Sequence, residues 1–169
     1  VAASALNTLN AKTTVPITVT STTISGTFAN LFTVFTAGAA GTINGLGNEA
    51  VTLSDAITIP QANAINALTT GVVTATIATT AIVDLDDLTG TGNAYTIIIG
   101  DANATAAQLN TVNAATTVDV NASAVTTITG TAADLITVYA ATGTIDGLGN
   151  EAVTITDTSI NASLLITLD

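Results

Sequence analysis

The sequence predicts a repeat solenoid, mainly β with short helices, with a right-handed parallel β-helix-like stack as its leading form and an α+β repeat domain pair as the alternative. Two observations predict it. First, long phrases recur: Gly41-Thr-Ile-Asn-Gly-Leu-Gly-Asn-Glu-Ala-Val-Thr-Leu-Ser-Asp55 returns as Gly143-Thr-Ile-Asp-Gly-Leu-Gly-Asn-Glu-Ala-Val-Thr-Ile-Thr-Asp157, and Thr22-Thr-Ile-Ser-Gly-Thr27 returns as Thr126-Thr-Ile-Thr-Gly-Thr131, at an offset of roughly 102 to 104 residues. Second, a shorter element occurs four times, as Ser4-Ala-Leu-Asn-Thr-Leu-Asn10, Asn63-Ala-Ile-Asn-Ala-Leu68, Ala107-Gln-Leu-Asn-Thr-Val-Asn113 and Ser163-Leu-Leu-Ile-Thr-Leu168. These spacings read as one continuous array over 1–169, with units of about 1–59, 60–103 and 104–159 and the start of a further unit at 160–169.

Taken in order, the four short elements read as helices, because Leu6 and Leu9, Ile65 and Leu68, and Leu109 and Val112 are spaced for one helical face. Pro60 near one start and Thr105-Ala-Ala-Gln108 as a capping box support this. Phe28, Leu31, Phe32 and Phe35 recur at the same spacing, as do Leu135, Ile136 and Tyr139, each set preceded by Gly-Thr with Asn30 or Asp134 three residues after the Thr. In the middle unit Ile82–Thr89 stands at that place, and the element reads as lost. Pro16-Ile-Thr-Val-Thr20, Val72-Val-Thr-Ala-Thr-Ile77, Tyr95-Thr-Ile-Ile-Ile99 and Val153-Thr-Ile-Thr156 are short, β-branched and alternating, which is the pattern of half-buried strands. In the α+β alternative, Asn44-Gly45 and Asp146-Gly147 are tight turns between paired strands.

Composition then excludes whole classes of function. The 169 residues carry 12 Asp plus Glu against one basic residue, Lys12, with no His, Cys, Met or Trp and a net charge of −11. Without His, Cys and Arg, enzymes that need an imidazole base, a thiolate nucleophile or an Arg clamp on phosphate cannot be built, and the expectation is that the chain is not an enzyme. A nucleic-acid surface needs several Lys or Arg side chains, so no nucleic-acid partner is expected either. Mean hydropathy is +0.64 and 48% of residues are hydrophobic, which speaks against disorder. Thr, Asn, Asp or Gly nonetheless breaks every apolar run before the roughly 18 residues of a membrane span, so no membrane insertion is expected. Thr (37 residues) and Ala (31) dominate, so solvent is met by hydroxyls and amides.

The candidate ligand residues are few, and calcium is the candidate ion. Asp84, Asp86 and Asp87 form the one acidic cluster and would offer carboxylates to a cation that takes six to eight oxygens. Their bland reading is a solvated loop. Asn48-Glu49 and Asn150-Glu151, in the two Gly-Leu-Gly-Asn-Glu turns, would bridge a cation together with Asp55 or Asp157, or else simply satisfy turn amides. Asp55, Asp101 and Asp157, each at a strand end before a helix, read as Asx turns or charges at helix starts. The pairs Thr18/Thr20, Thr74/Thr76, Thr129/Thr131 and Thr154/Thr156 would organise water for an ice or carbohydrate binder if successive pairs came into register.

Val1–Asn10 aligns with Ile160–Asp169, so the pattern begins and stops at equivalent points without a polar cap. That leads to the expectation of a segment of a longer array, or of a subunit joined head to tail to copies of itself. The phrases Gly-Thr-Ala-Ala-Asp-Leu and Gly-Leu-Gly-Asn-Glu-Ala-Val-Thr-Ile-Thr-Asp, with Ala-Leu-Asn-Thr-Leu helices between them, resemble the repeats of very large secreted or cell-surface proteins of cyanobacteria and other Gram-negative bacteria. The resemblance covers essentially the whole chain and implies extracellular, adhesin-like, S-layer-like or filament-forming material, often calcium-loaded. The chain departs from the best-known calcium repeat of such proteins in having no Gly-Gly-x-Gly-x-Asp nonapeptide. The expected function is thus a structural repeat of a surface protein or filament, with a calcium-dependent adhesive module as the alternative.

Overall fold

The computed structural model describes residues 1–141 and 143–168. The chain divides into two compact units, one of Val1–Ala78 with Gly92–Tyr95 and the other of Thr79–Thr91 with Thr96–Asp169.

The first unit runs α1 (Ala3–Asn10), β1 (Ile17–Thr18), β2 (Thr23–Gly26), α2 (Phe28–Ala39), β3 (Ile43–Asn44), β4 (Ala50–Ile57), α3 (Ile59–Asn66) and β5 (Val73–Ile77), and it also takes most of β6 (Ala94–Thr96). β2 pairs β4 and β4 pairs β5, both in parallel, which lines up Ile24, Val51 and Val73 in one row across the sheet. All three are fully buried. In β5 the alternation is complete, with Val73, Ala75 and Ile77 inside and Thr74 and Thr76 in solvent. Such β-branched residues suit a pleated surface with one wet face. A second, two-residue parallel ladder joins β1 to β3.

The second unit runs α4 (Ile82–Leu85), β7 (Asn103–Thr105), α5 (Ala106–Ala114), β8 (Val120–Asn121), β9 (Thr127–Gly130), α6 (Ala132–Ala140), β10 (Ile145–Asp146), β11 (Ala152–Ile155) and α7 (Ala162–Leu168). β9 pairs β7 on one side and β11 on the other, again in parallel, and β8 pairs β10.

Local chemistry starts the helices where the sequence places them. The Thr27 and Thr131 hydroxyls accept the Asn30 and Asp134 amides at the starts of α2 and α6. Thr105 and Gln108 close a reciprocal capping box on α5, and Gln61 accepts the Thr58 amide at the start of α3. Thr survives inside the helices because Thr8, Thr33, Thr36, Thr111, Thr137 and Thr167 each donate the hydroxyl to the carbonyl four residues back. Helix contacts repeat as well: Asn7 Nδ2 donates to the Asn30 carbonyl between α1 and α2, and Asn110 Nδ2 to the Asp134 carbonyl between α5 and α6. On α2 the buried face is Leu31, Val34 and Phe35, whereas Phe32 stays exposed and stacks on Phe28 with ring centroids 5.6 Å apart.

Three expectations are corrected. The fold is mixed α/β rather than a mainly β, β-helix-like solenoid: the described residues form seven helices and four separate short sheets, of two, two, three and four strands, and none of the sheets closes. The reason is that the principal parallel strands are joined through helices, which supply the covering layer themselves through Leu31, Val34, Leu135 and Val138. The hairpin alternative fails too. Asn44 and Asp146 end strands that pair in parallel with β1 and β8, and Gly45 and Gly147 turn the chain away from them instead of folding it back. Finally, the element read as lost at Ile82–Thr89 survives as the four-residue α4.

Candidate functional site

The two Gly-Leu-Gly-Asn-Glu turns are the most distinctive local feature, and the structure gives them different surroundings. In the first, Gly45 adopts φ +81°, and a side chain there would strike the Val19 carbonyl, so only glycine lets the turn press against the Val19–Thr22 segment. The Gly47 N–H donates to Glu49 Oε2 at 2.8 Å, folding the carboxylate back over its own turn. Thr69 Oγ1 donates to the Glu49 carbonyl at 2.6 Å and the Thr70 N–H to the Gly47 carbonyl at 2.9 Å, clamping the turn from the chain before β5. Glu49 is 1% exposed, while Asn48 beside it is exposed. Both line a cleft of about 260 Å³ together with Thr20, Ser21, Thr22 and Gly45.

In the second turn the Gly149 N–H donates to both Glu151 carboxylate oxygens, at 3.0 and 2.8 Å, and the Tyr139 phenol adds a third bond at 3.2 Å. Glu151 is half-buried and Asn150 exposed. Burial pushes the Glu151 carboxyl up, but hydrogen bonds from the Gly149, Glu151 and Asn150 amides and from Tyr139 outweigh it and hold the group below its ordinary value. Tyr139 moves the other way, raised first by burial and then by the Glu151 charge and hydrogen bond. Phe35 holds the place of Tyr139 in the first copy and brings no such donor.

Asp55, Asp101 and Asp157 do meet helix starts, though not those of the helices that follow them. The Asp55 carboxylate accepts the first amide of α2, that of Phe28, at 3.0 and 3.3 Å. Asp101 accepts the Ile82 amide of α4 at 2.6 Å, and Asp157 accepts the Ala132 amide of α6 at 2.7 Å. Each carboxylate thus reaches back 19 to 27 residues to close an earlier helix. Asp55 and Asp157 are thus bonded to helix starts, and Glu49 and Glu151 to the amides of their own turns.

The acidic cluster sits on and just after α4. Asp84 is exposed, and its Oδ2 accepts from Thr79 Oγ1 at 3.2 Å. Asp86 caps the C-terminus of α4, half-buried, with Oδ1 enclosed without a hydrogen-bond partner, and Asp87 is exposed in the turn beyond. Among the described residues, no group of three or more Asp, Glu, His or Cys is arranged to hold a metal ion. Hydroxyl side chains make a row in each of the two larger sheets: Ser25, Thr52 and Thr74 in the first unit, and Thr105, Thr129 and Thr154 in the second.

One further face went unread in the sequence. Ile128 and Val153, paired across β9 and β11, are the second-unit counterparts of Ile24 and Val51, yet Val153 is 44% exposed where Val51 is 0%. α7, which follows β11 as α3 follows β4, has no buried residue, and Ile166 is 76% exposed. Val153, Leu165 and Ile166, together with Tyr139, Glu151 and Ile155, line an open groove of about 820 Å³. The two copies of the long phrase were visible in the sequence, but their different burial was not. No helix among the described residues is long and apolar enough to cross a membrane. No family model, curated protein or solved structure matches the chain.

Proposed function

We propose that the chain is a non-enzymatic structural repeat segment of an extracellular surface protein or filament, joined end to end to further copies of the same repeat. The groove between β11 and α7 is the observation that supports this most directly. In the first unit the corresponding strand, β4, carries β5 on its second edge through Val51 opposite Val73 and Thr52 opposite Thr74, and Val51 is sealed. β11 has the same phrase and the same apolar residue at Val153, with no ladder partner on its second edge among the described residues. A strand of another repeat, seated as β5 is seated, would bury Val153, Leu165 and Ile166 and satisfy the edge amides, and an uncovered edge of this kind is a template for strand addition. The composition points the same way, since aliphatics, Thr, Asn and Gly are materials for packing, and His, Cys and Arg are missing from the whole chain.

Sedimentation and electron microscopy of the chain test this. Concentration-dependent, end-to-end oligomers are expected, and Ile166→Asp combined with Val153→Asp should return them to monomers. Val83→Asp, at a site 67% exposed on α4, should leave assembly intact. A groove variant that assembles unchanged overturns the proposal, as does a wild-type chain that neither self-associates at the highest attainable concentration nor seals Val153 and Ile166 from solvent when a second copy is fused in tandem after Asp169.

A further inference from the structure

The two copies of the turn differ in a way that the end-to-end reading does not use. Glu49 is 1% exposed, in a chain whose single basic side chain, Lys12, lies exposed in the turn after α1. The Gly47 amide bonds one of its oxygens, and the phenol that serves Glu151 is replaced by Phe35. A buried carboxylate with so few donors is short of partners for its charge, and a cation drawn from solvent would supply one. The cleft beside it offers oxygen to such a cation. Thr20, Ser21 and Thr22 line it and Asn48 brings an amide. The Ser21 hydroxyl already accepts from the Val1 ammonium and the Thr23 amide, and the Thr22 carbonyl from the Ala50 amide, which leaves the Thr20 and Thr22 hydroxyls and the Thr20 and Ser21 carbonyls as the oxygens to offer. The matching positions in the second copy are Ala124, Val125 and Thr126, so two of the three hydroxyls are gone where Glu151 has its phenol and is half-exposed. One copy has kept oxygen ligands around an under-partnered carboxylate, and the other has replaced them with a neutral donor.

We propose that the cleft formed by Thr20–Thr22, Asn48 and Glu49 binds a hard, oxygen-ligated cation, with the Glu49 carboxylate as its charged ligand, and that the Glu151 turn does not. Hard cations are held by such mixtures of carboxylate, carbonyl, amide and hydroxyl oxygen. The clamp by Thr69 and Thr70 fixes the turn before any ion arrives, so binding needs little rearrangement.

Isothermal titration of the chelator-treated full chain with CaCl2, MgCl2 and NaCl in separate runs tests this. One saturable site for at least one of the three is expected, and the run that saturates identifies the ion. Glu49→Gln, which keeps an oxygen for the Gly47 amide, should abolish it. The pair Thr20→Ala and Ser21→Val, which installs the second copy's residues, should weaken it by roughly tenfold or more. Glu151→Gln should leave it unchanged, with circular dichroism confirming that each variant is folded. Three results overturn the proposal: no saturable heat with any of the three salts, binding that survives Glu49→Gln, or a Glu49 carboxyl found protonated at neutral pH by NMR in the presence of the salts.

Discussion

Replacing Asp101 by Ala removes the shortest of the three carboxylate contacts to a helix start, 2.6 Å from the Ile82 amide. Several features make this the costliest of the three. α4 has four residues, too few to hold itself by its own hydrogen bonds, and its N-cap is Ala81, which has no side-chain acceptor. Asp101 is half-buried, so the freed Ile82 amide, on a residue 5% exposed, regains little water. Hydrogen bonds to charged groups contribute about 1.5–3 kcal/mol, and a loss of about 2 kcal/mol is expected. Asp55→Ala should cost about 0.5–1 kcal/mol, because Asp55 is exposed, its contacts are longer, and the twelve-residue α2 keeps the Thr27 cap. Asp157→Ala should fall between them, with a 2.7 Å bond from an exposed carboxylate to a helix that keeps Thr131. Urea unfolding followed by circular dichroism gives the three values, and amide hydrogen exchange at Ile82 reports whether α4 opens locally. An Asp55→Ala variant as destabilised as Asp101→Ala would refute the reasoning, since the ranking rests on burial and on the missing cap of α4.

Gly71→Ala should lower stability by about 2 kcal/mol or more in urea unfolding, because the added carbon meets the Glu49 carbonyl and neighbouring backbone, which the turn clamp holds in place. Gly41→Ala, where nothing lies within 4 Å but φ is +73°, should cost only about 1 kcal/mol. Tyr95 is fully buried and burial raises its pKa to about 12. The folded chain therefore keeps a proton that the unfolded chain releases above about pH 10, and the urea midpoint should fall between pH 10 and 12, with Tyr95→Phe flattening most of that fall. Leu135→Ala, at a side chain with no exposure, should cost about 2–5 kcal/mol, while Ile166→Ala on α7 should leave the unfolding midpoint of the dilute chain almost unchanged.

Much of the local structure was legible in the sequence, because local structure is set by neighbours along the chain. Gly-Thr followed by Asn30 or Asp134 placed the starts of α2 and α6, the Thr105–Gln108 box placed that of α5, and alternation in Val73–Ile77 marked its inner and outer residues. The limits were also physical. A β-branched, Thr-rich alphabet suggested mostly strand, and hydroxyl bonds to the carbonyl four residues back let the same alphabet serve the helices. Of the candidate ligand residues, Asp84, Asp86 and Asp87 lie on and just after α4 and, among the described residues, form no group arranged to hold a metal ion. Nothing local distinguished Glu49 from Glu151.

By itself, then, the sequence determined the repeat, the capped helices, the strand faces and the poverty of catalytic side chains, each a matter of composition or of spacing within a few residues. Only the tertiary structure decided which amides Asp55, Asp101 and Asp157 would close, since parallel pairing brings each beside a helix that lies 19 to 27 residues earlier. It also separated two identical turns. Glu49 is sealed beneath chain that leads into β5, and Glu151 faces an open groove, because burial depends on what packs over a residue and the pentapeptide carries no record of that.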